Sequence, residues 1–394
     1  MTSQRSSVDI LVLSTASHTS INRAIYRLFS RDGYRVAILC PKRSYFQGAL
    51  TDSDPQGVDD PTVIFDDIDT RNLRLHNFKH IASILRRHRP SVIIVENDPA
   101  SVMVIQTGLL SKRLGSQLCC ITCENLPLGF FSTVARRGLL SIIPQAVKAA
   151  FLRLSRSLLD VVFVVNRDGE KHFSDYGFHT VVRIPLGFDP VFFSYDATSR
   201  EAVRRTLRID RFAIGFLGRM VPEKGPHILL QALSGLKHYD WCLLIDEFTR
   251  YKSRFSTEMA TLIETLGLGD RIVTIDPSHE QIGRYINALD LVVIPSISTP
   301  HWVEQYGRIA AEALACGRNI ICSDSGHLPT LGGDHGRYFQ EGDVLGLRRL
   351  IEKYFTDPAK MGDPSKIERY AHSELSISKQ KDLMAPFLAA RGSS

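Results

Sequence analysis

Short apolar runs of strand length alternate with amphipathic segments along almost the whole chain. In the first half the runs are Asp9–Leu13, Arg35–Leu39, Val63–Phe65, Ser91–Glu96, Gln117–Thr122 and Val161–Val165, rich in Val, Ile and Leu. Near-continuous apolar strands are the mark of a sheet covered on both faces. Between them lie segments such as Ile21–Ser30 and Phe78–His88, apolar at helical spacing. Parallel strands need a crossover, usually a helix, so this alternation predicts an α/β fold with a parallel sheet. A second series then begins: Ala213–Leu217, Trp241–Ile245, Arg271–Ile275, Leu291–Ile294 and Asn319–Cys322. At 394 residues the chain exceeds one ordinary core, and the two series predict two doubly wound domains. The stretch Arg183–Thr198 carries Pro185, Gly187 and Pro190 without periodicity and marks the junction. The expected domains are 1–190 and 191–374, with a C-terminal helix at about 375–390 returning to the first domain and a polar ARGSS end. Ligands of such sheets bind at the carboxyl ends of the strands, where the strand order reverses.

Composition narrows the function classes. Hydrophobic content of 44% and charged content of 23% are those of a globular protein. A net charge of +6, not concentrated on one element, argues against nucleic acid as a partner and suits an anionic substrate or an anionic membrane surface. The seven cysteines are odd in number and lie in apolar runs, so free thiols in a reducing, cytoplasmic compartment are expected. Cys120-Ile-Thr-Cys123 lacks the second pair that a zinc set needs and reads as buried strand; no metal site is expected. The N-terminus has no apolar core of a signal peptide, and no run of 18 apolar residues spans a membrane.

The segment EQYGRIAAEALACGRNIICSD, Glu304 to Asp324, carries the most chemistry. Gly307 can open a helix and Gly317 can close it. A helix N-terminus attracts anions, because its first amides are unpaired and its dipole end is positive. Glu304 and Glu312, on either side, are poor phosphate ligands but suit the neutral hydroxyls flanking a phosphate. At about 1.5 Å per residue, eight helical steps from one to the other span roughly 12 Å, the reach of a sugar–diphosphate–ribose. Alone, the segment fits any phosphorylated polyol. Upstream, FAIGFLGRMVPEKGPHILLQAL places Arg219 and Lys224 in the loop between a strand ending at Gly218 and a helix beginning near Pro226. Glu223 stands where a Walker loop requires glycine, and the glycines do not make a G-x-G-x-x-G. What remains is two cations at the carboxyl end of a strand, suited to neutralising a diphosphate, or else solvated loop charges.

GRMVPEKG followed about 80 residues later by E-x7-E resembles the retaining glycosyltransferases of GT-B fold, family 4 (glycosyl transferases group 1), which use nucleotide-sugar donors. The linker Ile184 to Asp189, IPLGFD, is similar to that family's IPNGVD, with Leu186 in place of Asn. The resemblance implies two Rossmann-like domains facing across a deep cleft. It implies that Arg219 and Lys224 hold the donor diphosphate as leaving group, that Glu304 contacts the sugar hydroxyls and that Glu312 takes the ribose. Tyr306, Gly307 and Arg308 match the turn whose amides meet sugar and phosphate, and His279 lies near the segment that passes the base. A hexosyltransferase needing no cofactor or metal follows, its donor a UDP-, GDP-, ADP- or TDP-sugar and its acceptor a glycan or lipid-linked saccharide, with a place in polysaccharide or glycolipid biosynthesis. The alternatives are a non-catalytic GT-B partner subunit and a GT-B phosphorylase or epimerase.

The first domain resembles the family in pattern only. Ser14, Ser17 and His18 stand where relatives have a glycine pair, and Glu124 and Asn125 follow the strand Gln117–Thr122. Ser17, His18, Glu124 and Asn125 are acceptor-side candidates, Glu124 and His18 also as catalytic groups. For Glu124 the alternative is a helix cap, and for His18 an ordinary loop histidine. Ile245–Phe248 replaces the family's G-x-G turn near the nucleotide, which leaves the base open. The stretch 126–159 has no acidic residue and carries Arg136, Arg137, Lys148, Arg153 and Arg156 among apolar residues. It reads either as an amphipathic element on the inner face of a membrane or as a core helix with cations along its rim.

Overall fold

The computed structural model of the chain describes residues 8–46, 49–68, 75–129, 134, 142–246 and 253–388. The chain forms two compact units, one of Met1–Pro185 with Ile377–Ser394, the other Leu186–Ser376.

In the first unit β1 (Ile10–Ser14), β2 (Val36–Pro41), β5 (Thr62–Asp66), β6 (Val92–Glu96), β7 (Gln117–Thr122), β8 (Val161–Val164) and β9 (Val181–Arg183) form one sheet. Their order is β5-β2-β1-β6-β7-β8-β9, and every pairing is parallel. Between β2 and β5 a hairpin of β3 (Arg43–Phe46) and β4 (Ala49–Asp52) stands apart. Successive side chains in a strand face opposite sides, so Leu11, Leu39, Ile93 and Val95 enter one core while Ile10, Val12, Ile38 and Ile94 enter the other. The strand order reverses between β1 and β6, which sets a doubly wound switch point there.

The second unit repeats the design. Its strands are β10 (Phe212–Phe216), β11 (Trp241–Asp246), β12 (Ile272–Ile275), β13 (Leu291–Ile294), β14 (Asn319–Ser323) and β15 (Gly336–Phe339). The order is β12-β11-β10-β13-β14-β15, all parallel, with the switch point between β10 and β13. Trp241 is fully buried at the centre of the core, its indole N–H donating to Leu236 O at 2.8 Å.

The change of unit falls at Pro185/Leu186, not at 190/191. Phe188 donates its amide to Leu375 O at 3.3 Å and its ring lies 5.3 Å from that of His372, which ties the linker to the second unit. The return falls at Ile377. Ile377, Met384 and Leu388 enter the first unit's core, Lys381 pairs with Asp32, and Gln117 donates to Phe387 O at 2.8 Å.

Candidate functional site

The loops that leave β10 and β13 meet at the switch point of the second unit. After β10 the chain makes a tight turn, Pro222–Lys224, then reaches Gly225 at φ +67°, and Pro226 opens the helix Pro226–Ser234. A Cβ at Gly225 would stand 1.9 Å from the carbonyl oxygen of Pro295, so the two loops touch backbone to backbone. Ile297 N donates to Glu223 O at 2.8 Å and fixes their register.

This contact brings Lys224 to Glu304. The ammonium lies 2.7 Å from Glu304 Oε2, and Ser296 Oγ donates to the same oxygen at 2.8 Å. The Glu304 side chain is 7% exposed and that of Lys224 22%, so the pair sits at the floor of the loops with the lysine toward solvent. The Trp302 ring covers Lys224 at 5.0 Å from nitrogen to centroid, within cation–π range. Glu304 is held through its backbone too: His327 N donates to its carbonyl at 3.2 Å, and Gly326, at φ +51°, leaves room where a Cβ would stand 2.1 Å from that oxygen. Ser298 donates its amide and hydroxyl to Glu341 at 2.5 and 2.6 Å, and Glu341 N donates to Asp324 at 2.8 Å, binding together the loops after β13, β14 and β15.

Gly307, at φ +82°, turns the chain into the helix Arg308–Ala315. Glu304 therefore lies in the loop before this helix and only Glu312 lies on it, which corrects the picture of eight helical steps from one to the other. Glu312 is buried, not a surface carboxylate, and His279 Nε2 approaches it at 3.7 Å. Tyr306 packs its ring against His327 at 5.6 Å, and burial pushes its phenol well above the ordinary value. Arg219 is exposed on the rim and forms no ion pair among the described residues. One loop system thus gathers Arg219, Lys224, Glu304, Tyr306, Gly307 and Arg308, with a second pair formed by Glu312 on the helix and His279 in the turn that precedes the helix Ile282–Ala288. Sequence reasoning missed Ser296, Trp302 and Glu341. Trp302, only two residues before Glu304, could have been noticed; the other two act through tertiary contacts.

In the first unit the carboxyl ends of β1 and β6 carry Ser14 and Glu96. Glu96 accepts from the hydroxyls of Ser14 and of buried Tyr26, whose phenol is pushed well up by burial and then by the Glu96 charge. Ser17 is buried, its amide donating to Ser14 Oγ at 2.9 Å. His18 sets Nδ1 3.0 Å from the Thr15 carbonyl; a carbonyl only accepts, so Nδ1 carries the proton. Glu124 accepts from Leu126 N at 3.1 Å and pairs with Lys148 at 3.0 Å, both side chains being nearly buried. The cap of the helix Arg167–Asp175 is Asn166. Asn125 is buried beside Glu124 in sequence. Lys148 accordingly leaves the set of cations open to a membrane. Arg136, Arg137, Glu247, Phe248 and the ARGSS end lie outside the described residues.

Residues 199–373 match the family model of Glycosyl transferases group 1, so the second unit is a domain of that family. Curated relatives include D-inositol 3-phosphate glycosyltransferases. That of Mycolicibacterium smegmatis is 33% identical over 139 residues, 34% of this chain and 31% of the relative. That of Catenulispora acidiphila is 29% identical over 185 residues, 44% of this chain and 43% of the relative. The chain thus matches less than half the length of these relatives. Among solved structures, Anabaena Alr3699/HepE in complex with UDP superposes with TM-score 0.71 at 19% identity, covering 97% of this chain and 99% of that one. A Rickettsia africae glycosyltransferase does so with TM-score 0.74 at 17% identity, covering 98% and 100%. The fold is GT-B, two Rossmann-like α/β halves.

Proposed function

We propose that the chain is a retaining glycosyltransferase that moves a hexose from a nucleotide-diphosphate sugar to a glycan or lipid-linked saccharide. The observation that carries this reading is the Lys224–Glu304 pair at the switch point of a Glycosyl transferases group 1 domain. Breaking the sugar–phosphate bond puts growing negative charge on the diphosphate. Lys224 and the exposed Arg219 supply countercharge where that charge develops, so the transition state gains more than the ground state and the scheme needs no metal ion. Glu304, held by Ser296 and Lys224, is set to accept from the sugar hydroxyls, and Glu312 with His279 from the ribose. HepE has been solved with UDP and with UDP-glucose, which supports a uridine donor as the first to test. Melting the protein in the presence of UDP-, GDP-, ADP-, TDP- and CMP-sugars tests the reading. One donor at a hundredfold excess over its Kd should raise stability by about 2.7 kcal/mol; no shift with any of them contradicts it.

A lipid-linked acceptor at the inner face of a membrane is supported by the helix Ile142–Leu158. It exposes Ile142, Ile143, Val147 and Leu154 beside Arg153 and Arg156, although no helix among the described residues is long and apolar enough to cross a bilayer. An apolar face edged with arginine suits adsorption to anionic lipid. Vesicles rich in phosphatidylserine should sediment the protein. Ile143→Glu with Val147→Glu should weaken that binding about tenfold or more, from lost apolar transfer and added repulsion. Equal binding of both proteins contradicts the assignment.

A further inference from the structure

Arg23 is fully buried, and its side chain joins two loops that sequence distance keeps apart. Its Nε donates to Ser17 O at 2.8 Å, Nη1 to Pro55 O at 2.9 Å and Nη2 to Asp54 O at 2.6 Å, while Nη1 also meets Asp60 at 2.9 Å. Both side chains of the Arg23–Asp60 pair are 0% exposed, and Arg27 holds the other Asp60 oxygen at 2.8 Å. Burial by itself raises the Asp60 pKa, and the amide of Gly57 with Arg23 and Arg27 more than offsets it, so the carboxyl is held below its ordinary value.

The contacts converge on the turn Ala16–His18 that follows β1. Ser17 O is taken by Arg23, Ser17 N by Ser14 Oγ, His18 O by Asp54 N at 2.8 Å, and Ser20 N by the Asp54 carboxylate at 2.7 Å. Asn22 donates to Ala16 O at 2.8 Å. Ser14 in turn is anchored by Glu96 across the switch point. A buried ion pair is a weak source of net stability, because desolvating two charges offsets their attraction; its best-attested use is to select one arrangement among several. Here the arrangement selected is that of Ser17 and His18.

We propose that the Arg23–Asp60 pair is a latch whose task is positioning: it clamps the segment Ser53–Asp60 onto the β1 turn and sets Ser17 and His18 at the carboxyl edge of the first sheet, where an acceptor hydroxyl is received. The inference rests on the glycosyltransferase reading for the acceptor, but the clamping itself does not. The Nδ1 of His18 lies 3.0 Å from the Thr15 carbonyl, which ties the ring to the turn that Arg23 holds. Arg23 and Asp60 are positioning residues; neither touches substrate.

Two variants test it in the full chain. Arg23→Met with Asp60→Leu replaces the pair by apolar groups of similar size and removes every fork contact, while Arg27, at the edge, can reach water. Arg23→Lys keeps a charge but cannot serve the same acceptors. Amide hydrogen exchange should accelerate at least tenfold at residues 16–20 in both, with β1, β6 and the second unit unchanged. In transfer assays kcat should fall by about 10–100-fold, the penalty of a misplaced reacting group, while the Kd of the nucleotide sugar stays within twofold. Unchanged exchange at residues 16–20 in Arg23→Lys overturns the latch. Faster exchange with undiminished kcat overturns its catalytic purpose. Absence of any transfer by the wild type strikes the glycosyltransferase reading and leaves the exchange result to decide the latch.

Discussion

Replacing Lys224 by alanine is expected to lower turnover by about 10²–10³, the loss seen when one preorganised charge or donor is removed from a developing anion. Two effects are combined in that side chain. Its ammonium is 2.7 Å from Glu304, and Trp302 stands over it at 5.0 Å, so its place is fixed before any ligand arrives. A charge already oriented costs nothing to reorganise when the leaving diphosphate forms. Removing it also takes the countercharge from a carboxylate that is 7% exposed. That should lower stability by roughly 1–3 kcal/mol, the cost of a buried polar group that loses a partner. The two effects separate experimentally: kcat measured well below the melting transition reports the chemistry, and urea unfolding reports the ion pair. Lower stability with full kcat would make Lys224 a structural residue and would undo its role at the diphosphate.

Gly225→Ala should be worse for the fold than any charge change nearby. The residue sits at φ +67°, a left-handed conformation that costs an L-residue about 1–2 kcal/mol. The added methyl would stand 1.9 Å from the carbonyl oxygen of Pro295, against backbone that has no rotamer to offer. The loops after β10 and β13 must separate, which breaks the Ile297–Glu223 hydrogen bond and draws Lys224 from Glu304. A destabilisation of about 3–5 kcal/mol is expected, at the high end for a single substitution, with loss of activity even where the protein remains folded. Urea unfolding gives the first number; a change under 1 kcal/mol would show that the loops do not depend on this contact.

What the sequence displays and what it conceals divide along a physical line. Strands buried on both faces are continuous apolar runs, so β1, β7, β10 and β13 are legible to within a residue or two. Of the four rim strands β5 and β12 are also legible, but two are not: β9 has three residues and β15 reads Gly-Arg-Tyr-Phe, with an exposed arginine in its middle. The glycine at 307 and the proline at 226 announce helix starts because their backbone preferences are local. Buried charges announce nothing, because their burial depends on a partner far along the chain. Lys148 looks like a membrane-facing cation until Glu124 is seen opposite it, and Arg23 looks like one more helix-face arginine until Asp60 closes on it. Lys224 and Glu304 were both legible as site residues, yet their direct pairing, with Ser296 and Trp302 around it, exists only in the folded loops.

The central claim is that the Lys224–Glu304 site holds and activates a nucleotide-sugar donor. The most direct measurement is donor hydrolysis without acceptor, using the sugar that gives the largest melting shift, in the wild type and in the Lys224→Ala, Glu304→Ala double variant. The wild type should release nucleoside diphosphate slowly, and the double variant, still folded by circular dichroism, should release none above buffer. A double variant that hydrolyses and transfers at the wild-type rate would contradict the account.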